Sequence, residues 1–342
     1  MSIKIRDVAK LAGVSTATVS RVINDPEKVR SGTRQRVESA ISKSNYRPNY
    51  FARGLNKGFT DSVGILASYA INPYFTEIVN AIEQVLSQNG VYIYLCSCET
   101  NTALEKRYTE DFLERNTDAI IAIESPSMNT VDNYFLNKQF KCPIILVNQH
   151  IEPFGDNYVV RCDQEPGVWE MFEQVRFRNL FPFCLFLGKD ASYSFLLKEA
   201  LLKKWKKKYH VSDKDAQIIH LEKMRDTSGE DAVWHTHDYF RKVLATPARP
   251  RAVLAGNELM ALGILVAARE LGIAVPEELA VVGIDNTLLS RTCSPPLTTI
   301  DLHMKDIGQM AANLYMNIRK NPDKKQEKVH IIPSNLSYRK TF

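Results

Sequence analysis

No stretch of this chain approaches the roughly 18 apolar residues that a membrane-spanning helix requires, and its basic, helix-forming start is unlike a secretory leader. Both absences lead to the expectation of a cytoplasmic protein with no membrane partner. Cysteine is sparse at six residues, and no two stand in a C-x-x-C pair; Cys96 and Cys98 sit two apart in an apolar run. The thiols therefore read as small buried hydrophobes rather than metal ligands or disulfides. Also lacking are a Gly-x-Ser-x-Gly elbow, a phosphate-cradling glycine loop and a metalloprotease His pair. No enzyme activity, cofactor or metal is expected.

What is present begins with an uneven charge. Residues 1–60 hold 12 Lys and Arg against 4 Asp and Glu, whereas the remaining 282 hold 32 against 35. A basic head on a slightly acidic body suits a protein that neutralises phosphates and releases counterions.

Within that head, residues 5–24 read as two short amphipathic helices broken at Gly13. Val8, Ala9, Leu11 and Ala12 form an apolar stripe on the first. Gly13 suits a positive-φ turn, and Ser15 caps the second helix. Val19, Val22 and Ile23 then pack inward, leaving Thr16, Ala17, Ser20 and Arg21 outward as DNA readers. A third helix opens at Ser31 and Thr33, buries Val37, Ala40 and Ile41, and runs to about Ser44. A basic segment follows, Tyr46-Arg47-Pro48-Asn49-Tyr50-Phe51-Ala52-Arg53-Gly54-Leu55.

These motifs resemble the LacI/GalR family of bacterial transcription regulators, most specifically in Asp7-Val8-Ala9, Ala12-Gly13-Val14-Ser15, Thr18-Val19-Ser20-Arg21-Val22-Ile23-Asn24 and Tyr46-Arg47-Pro48-Asn49. The resemblance implies a helix-turn-helix domain over 1–46 and a hinge helix and linker over 47–60. An effector-binding and dimerisation body would occupy 61–342. The DNA-contacting residues it implies are Ser15, Thr16, Ala17, Ser20, Arg21, Asn24, Thr33 and Arg34 in the head, with Asn49, Ala52, Arg53 and Leu55 in the hinge. Leu55 occupies the position of a minor-groove wedge; an exposed apolar residue there gains by inserting between base steps. The partners implied are double-stranded operator DNA, a second copy of the chain and a small carbohydrate effector.

The body alternates strand and helix. Apolar runs at 63–67, 91–96, 119–124, 143–148, 183–187, 217–221, 252–255 and 280–284 are separated by helical stretches such as 75–88, 103–115, 165–175, 193–208, 232–245 and 258–271. The expected fold is therefore an all-α head plus an α/β body of parallel sheets, with ligands beyond the strand C-termini. The resemblance adds two doubly wound subdomains like those of periplasmic binding proteins, with crossings near 157–161, 286–291 and 319–323. One subdomain would comprise 61–158 and 291–320, the other 159–290 and 321–342.

Effector contacts are expected from Tyr74, Phe75, Asn148, Arg161, Ser194, Leu197, Asn257 and Asp285. Fixed amide and carboxylate groups suit hydroxyls, and an aromatic face suits the C–H side of a sugar. The plainer alternative for Asn257 and Asp285 is a structural cap. The chain departs from the family where Leu197 stands in place of an arginine that clamps the effector, a role an isobutyl group cannot take. Arg161 or Lys189 could compensate. Glu258 stands where the family usually has Asp, and Arg178-Asn179-Leu180 replaces a common Gly-His-Arg. Lys203-Lys204-Trp205-Lys206-Lys207-Lys208 reads as a solvated helix end, and His235-x-His237 presents different helix faces. The runs 91–123 and 192–205 look somewhat like the fructose- and sucrose-repressor branches. A sugar-binding sensor or transport component, or an enzyme acting on carbohydrate, is the rival reading.

Overall fold

The computed structural model describes residues 3–46, 59–68, 72–126, 134–150, 152–188, 193–221 and 229–342. The hinge expectations at Asn49, Ala52, Arg53 and Leu55, and the compensating role given to Lys189, lie outside these residues. The chain forms two units, the first running to Ser62 and taking in Asn116–Asp118.

The first unit carries α1 (Ile5–Ala12), α2 (Thr16–Asn24) and α3 (Ser31–Ser44). Gly13 takes φ 65°, a left-handed conformation that costs glycine little, and the chain leaves α1 with the Val14 amide bonded to the Ala9 carbonyl at 3.0 Å. Ser15 Oγ accepts the Thr18 amide at 3.1 Å, so α2 begins at a satisfied cap. Val8, Ala9, Ala12, Val19, Val22, Val37 and Ala40 form the core. Leu11 does not join it; it is 66% exposed. Ile5, Val8, Ala9 and Ala12 already fill one face, and at 100° per residue Leu11 falls about 110° from its centre.

The second unit holds two six-stranded sheets. One contains β1 (Ser62–Ala67), β2 (Tyr92–Ser97), β3 (Ala119–Ile123), β4 (Ile144–Val147), β5 (Tyr158–Asp163) and β11 (Val329–Pro333), in the order β11-β5-β4-β3-β1-β2. Its helices are α4 (Pro73–Gln88), α5 (Thr102–Glu114), α6 (Tyr134–Asn137) and α12 (Met304–Lys320). The other contains β6 (Phe183–Gly188), β7 (Ala216–Leu221), β8 (Ala252–Ala255), β9 (Ala280–Asp285), β10 (Thr298–Asp301) and β12 (Asn335–Ser337), in the order β12-β10-β9-β8-β6-β7. With it go α7 (Glu165–Phe177), α8 (Tyr193–Tyr209), α9 (Glu230–Leu244), α10 (Glu258–Glu270) and α11 (Leu288–Thr292).

The two orders are the same pattern repeated, with the direction of strand progression reversing at β1/β3 in one sheet and β6/β8 in the other. β1, β3, β4, β6 and β8 are buried throughout, as parallel strands covered on both faces must be. Reversal points open a crevice beyond the strand C-termini, so the fold itself places a site there.

The chain changes sheet later than the sequence suggests. β5 stays with the first sheet through Asp163, β10 belongs to the second through Asp301, and β11 returns to the first before β12 closes the second. The crossings therefore fall after 163, after 301 and at 334, and the subdomain bounds move with them. An apolar run of four to six residues records burial but not which sheet will pair with it. β5, β10, β11, β12 and α12 were not among the elements expected from the sequence.

Close helix packing depends on glycine at one place in particular. A Cβ on Gly263 of α10 would lie 2.3 Å from the Val233 carbonyl oxygen of α9, a backbone atom that cannot rotate away. Gly263→Ala is expected to destabilise the body by about 1–3 kcal/mol through overpacking, read as a lower denaturation midpoint of the full chain.

Candidate DNA-reading face and ligand cleft

On the head, Ser15, Thr16, Ala17 and Arg21 are exposed, while Ser20 and Asn24 are half-buried. Asn24 Nδ2 donates to Ser20 Oγ at 3.2 Å, which turns both side chains toward each other along the helix. Arg34 is also half-buried and is occupied: its Nε donates to Glu38 at 2.8 Å and its Nη1 to Glu27 at 3.4 Å. Those carboxylates raise its already high pKa and draw the guanidinium along α3. Thr33 lies in the first turn of that helix. Thr16, Ala17 and Arg21 thus form an outward surface on a helix whose inner face is held by Val19 and Val22.

In the body, strand ends turn into the crevice. Glu124 after β3, Asn148 after β4 and Asp285 at the end of β9 have φ 50°, 51° and 125°. For non-glycine residues such conformations are strained, and they concentrate where side chains are held for a task. Tyr74 and Phe75 open α4, capped by Asn72 Oδ1 on the Tyr74 amide at 3.0 Å, and pack edge to face at 5.0 Å. The Tyr74 hydroxyl donates to Glu124 and accepts from Asn148 Nδ2. Burial, reinforced by Glu124 and Asp285, pushes its pKa well above the usual phenol value. These three side chains therefore converge at the β1/β3 reversal.

From the second sheet come Ser194 and Asp285. Ser194 Oγ donates to Gln164 at 2.9 Å. Burial raises the pKa of Asp285 well above the carboxylate range, with Glu258 and Glu124 adding to it and Lys198 opposing. Glu258 is 1% exposed; it accepts the Asn286 amide at 2.7 Å, the Thr287 amide at 3.1 Å and the Thr287 hydroxyl at 2.5 Å. It thereby ties down the turn that aims Asp285.

Other expected contacts are placed differently. Asn148 is 6% exposed, its Oδ1 accepting the Cys162 amide at 2.9 Å while its Nδ2 meets Tyr74. It braces the crevice floor rather than offering itself to a ligand. Asn257 Oδ1 accepts the Met260 amide at 2.9 Å, so it caps α10 as the plainer alternative held. Arg161 bonds the His150 carbonyl at 3.4 Å, approaches Glu152 at 4.0 Å and lies over Phe154. Leu197 packs against the body core.

The sequence reading overlooked Lys198, Glu124, Gln164 and His150. Lys198 is fully buried one residue beyond Leu197 and four beyond Ser194, a spacing that puts Ser194 and Lys198 on one helix face. That i, i+4 pair was the available signal. His150 stacks on Tyr193 at 4.6 Å with an interplanar angle of 4°. Burial, then Arg161 and Lys198, lower its pKa to about 4, so its imidazole is neutral at neutral pH.

Among the described residues, the His150–Tyr193 stack and the Glu77–α11 contact bridge the subdomains. His150 follows a strand of the first sheet and Tyr193 opens a helix of the second. Elsewhere, Glu77 of α4 accepts the Leu288 amide at 3.0 Å and Arg291 Nη2 at 3.2 Å, both from α11. Arg291→Glu is expected to open the cleft, and Glu77→Arg with Arg291→Glu to restore closure. Small-angle scattering of the three proteins checks this, and identical profiles for single and double variants would discard the latch.

The lysine run is dispersed as a helix surface. Lys203 pairs with Glu199 at 3.6 Å, Lys204 with Glu165 at 3.3 Å and Lys206 with Asp213, while Trp205 is fully buried. His235 is exposed, but His237 is buried against Glu270 at 2.9 Å and Asp238 at 3.0 Å. Among the described residues no group of three potential metal ligands occurs. All six cysteines are free; Cys98, Cys162 and Cys184 are buried and Cys96, Cys142 and Cys293 half-buried. No described helix is long and apolar enough to cross a membrane.

Comparison with known proteins bears on both units. Residues 4–49 match the family model for bacterial regulatory proteins of the lacI family, and residues 185–342 match a periplasmic binding protein-like domain. The HTH-type transcriptional repressor PurR of Mannheimia succiniciproducens is 30% identical over 332 residues, covering 96% of each chain. The ribose operon repressor of Escherichia coli K12 is 27% identical over 338 residues, covering 96% of this chain and 97% of its own. Among solved structures, the Lac repressor bound to ONPG superposes with a TM-score of 0.81 at 23% identity and full coverage of both chains. A regulator from Silicibacter pomeroyi gives 0.79 at 21% identity and 99% coverage of each. With a capped, basic helix-turn-helix and two repeated, largely parallel sheets, this chain belongs to the lacI family of bacterial regulatory proteins.

Proposed function

We propose that this protein is a cytoplasmic, sequence-specific transcription repressor that binds a pseudo-palindromic operator as a homodimer and is controlled by a small carbohydrate in the body cleft. The observation that carries the DNA-binding part is the outward surface of Thr16, Ala17 and Arg21 on a capped helix in a unit rich in positive charge. Arg21 donates to a guanine edge in the major groove, while the short side chains at 16 and 17 touch thymine methyls. The hinge around Leu55 pairs with its dimer mate and wedges the minor groove.

Support for the effector comes from hydroxyl-accepting and hydroxyl-donating groups gathered at the crevice, namely Asp285, Glu124, Tyr74 and Ser194. A relative named as a ribose operon repressor agrees with a small-molecule switch, and a fold neighbour from Enterococcus faecium holds ribose. Closure around the effector changes the angle between subdomains, hence the spacing of the two hinges and the affinity for DNA.

The test is selection of DNA from a random pool by the full-length protein, with and without a panel of sugars and sugar phosphates. An enriched palindrome whose recovery shifts with one compound is the expected result. Absence of any enriched sequence would discard the reading.

A further inference from the structure

The crossings between the sheets lie side by side. In the strand registers Asp301, the last residue of β10, stands between Asp285 of β9 and Asn335 of β12, while Pro333 of β11 stands beside Asp163 of β5. Hydrogen bonds join the crossings to one another. The Ser334 amide donates to the Asp163 carbonyl at 2.8 Å, and Ser334 Oγ accepts the Gly167 amide of α7 at 3.0 Å. His303 Nε2 donates to Asn335 Oδ1 at 2.7 Å.

The Asp301 carboxylate is used twice. Its Oδ1 accepts the His303 amide at 2.8 Å, closing the turn into α12, and its Oδ2 accepts Asn286 Nδ2 at 2.6 Å. Asn286 follows Asp285 directly and belongs to the crevice turn, where Glu258 accepts its amide at 2.7 Å. Its Oδ1 in turn accepts Arg339 Nη2, while Arg339 Nη1 donates to the Leu297 carbonyl at 2.9 Å. The Asn286 side chain thus lies between a guanidinium and a carboxylate, each meeting the end of complementary polarity, and this fixes its orientation. A charged partner at each end makes both bonds stronger than bonds between neutral groups. The backbone at φ 67° also suits asparagine, which tolerates the left-handed region better than most residues.

Beyond His303 the chain enters the first subdomain. α12 begins at Met304 and packs on α4 so closely that a Cβ on Gly308 would lie 2.5 Å from the Ile78 carbonyl oxygen. α4 is the helix that opens with Tyr74 and Phe75.

We propose that the bridge from Asn286 to Asp301 is the link by which the state of the crevice turn reaches the crossings, so that a ligand held at Asp285 sets the angle between the subdomains through Asn286. The inference rests on the reading of the crevice as an effector site. A ligand that orders or shifts the turn after β9 moves Asn286, and the bond to Asp301 hands that displacement to the segment entering α12. His303 and Ser334 pass it to the other two crossings. Asn286 is a positioning residue, and its action requires no contact with the ligand.

The test uses the full-length protein. Asp301→Asn sets two N–H donors face to face, and Asn286→Asp sets two carboxylates face to face. Together they restore a donor and an acceptor with the direction reversed and keep an acceptor for Arg339. Hydrogen exchange read by mass spectrometry follows peptides over 160–168, 298–306 and 330–337. Each single variant is expected to speed exchange about tenfold in all three, the effect of one lost charge-assisted hydrogen bond, and the double variant to return it to the wild-type rate. A rise confined to 298–306, beside the bridge, or one that the double variant does not reverse, overturns the proposal, as does unchanged exchange. If neither single variant folds, recovery of folding in the double variant supports the bridge and no recovery overturns it.

D-ribose and D-ribose 5-phosphate as probes, extended to any compound that shifts operator recovery, separate the bridge from the ligand reading. A compound that binds wild type should slow exchange in the three peptides. It should bind Asp301→Asn with similar affinity in calorimetry, yet lose most of its effect on operator recovery; a full operator response in that variant overturns the proposal. If no compound binds while exchange answers the variants as expected, the bridge stands and the ligand reading falls.

Discussion

Arg21→Ala is expected to abolish the preference of the protein for its operator while leaving weaker, salt-sensitive binding to DNA of any sequence. Arg21 is the long exposed side chain on the outer face of α2, beside the short Thr16 and Ala17. A bidentate arginine–guanine contact is worth about 1–3 kcal/mol of discrimination, and a dimer forfeits it twice. The loss is therefore on the order of thirtyfold to twenty-thousandfold between operator and scrambled DNA. Packing does not change, because Val19 and Val22 hold the opposite face of the helix. The remaining basic residues still release counterions, so residual binding keeps a steep salt dependence. Footprinting of wild type and variant on one operator measures this; an unaltered footprint would reassign the reader.

Asp285→Ala is expected to remove the effector response and to spare DNA binding. If the carboxylate accepts one or two ligand hydroxyls, each lost charge-assisted bond costs about 1.5–3 kcal/mol, or one to two powers of ten in effector affinity. Stability should not fall in parallel. Asp285 is crowded by Glu258 and Glu124 and disfavoured by burial, so its removal relieves repulsion. The adjoining turn keeps its shape because Glu258 holds the Asn286 and Thr287 amides. The expected pairing is an unfolding temperature equal to or above wild type with an operator complex that no longer answers the effector. Binding isotherms of the operator complex across effector concentration check it, and a variant that still responds would move the site elsewhere.

Much of the architecture was legible. α1 and α2 are marked by apolar spacing, by Gly13 and by the Ser15 cap, all local signals acting within a few residues. The buried runs at 63–67, 119–124, 183–187 and 252–255 matched strands to within a residue or so, because a parallel strand covered on both faces must be apolar throughout. The misplacement of Leu11 shows the limit of the same reasoning, since a stripe of four positions can be assigned one residue too widely.

The cleft was less legible, and for one reason. Asp285 and Tyr74 stand beyond strand ends where the fold directs ligands, and they were found by position. Lys198 is buried one residue beyond Leu197, whose side chain leaves α8 about 100° away and packs on the core, a difference no linear pattern marks. Asn148 and Asn257 carry suitable amides, yet both Asn148 polar atoms are engaged by Cys162 and Tyr74, and the Asn257 Oδ1 accepts the Met260 amide. Residue type announces what a side chain can do, whereas its partners decide whether it is available.

By itself the sequence determined a basic helix-turn-helix head, an α/β body of alternating strands and helices, and a chain without the constellations of an enzyme. Each follows from periodicity, capping or charge, which act between near neighbours. Only the tertiary structure decided which strands share a sheet, where the chain crosses between subdomains, and which charges face one another around Asp285. Those depend on contacts between residues far apart in the chain, such as Gln164 with Lys198 and Glu258 with Thr287, and a linear pattern carries no record of distance between them.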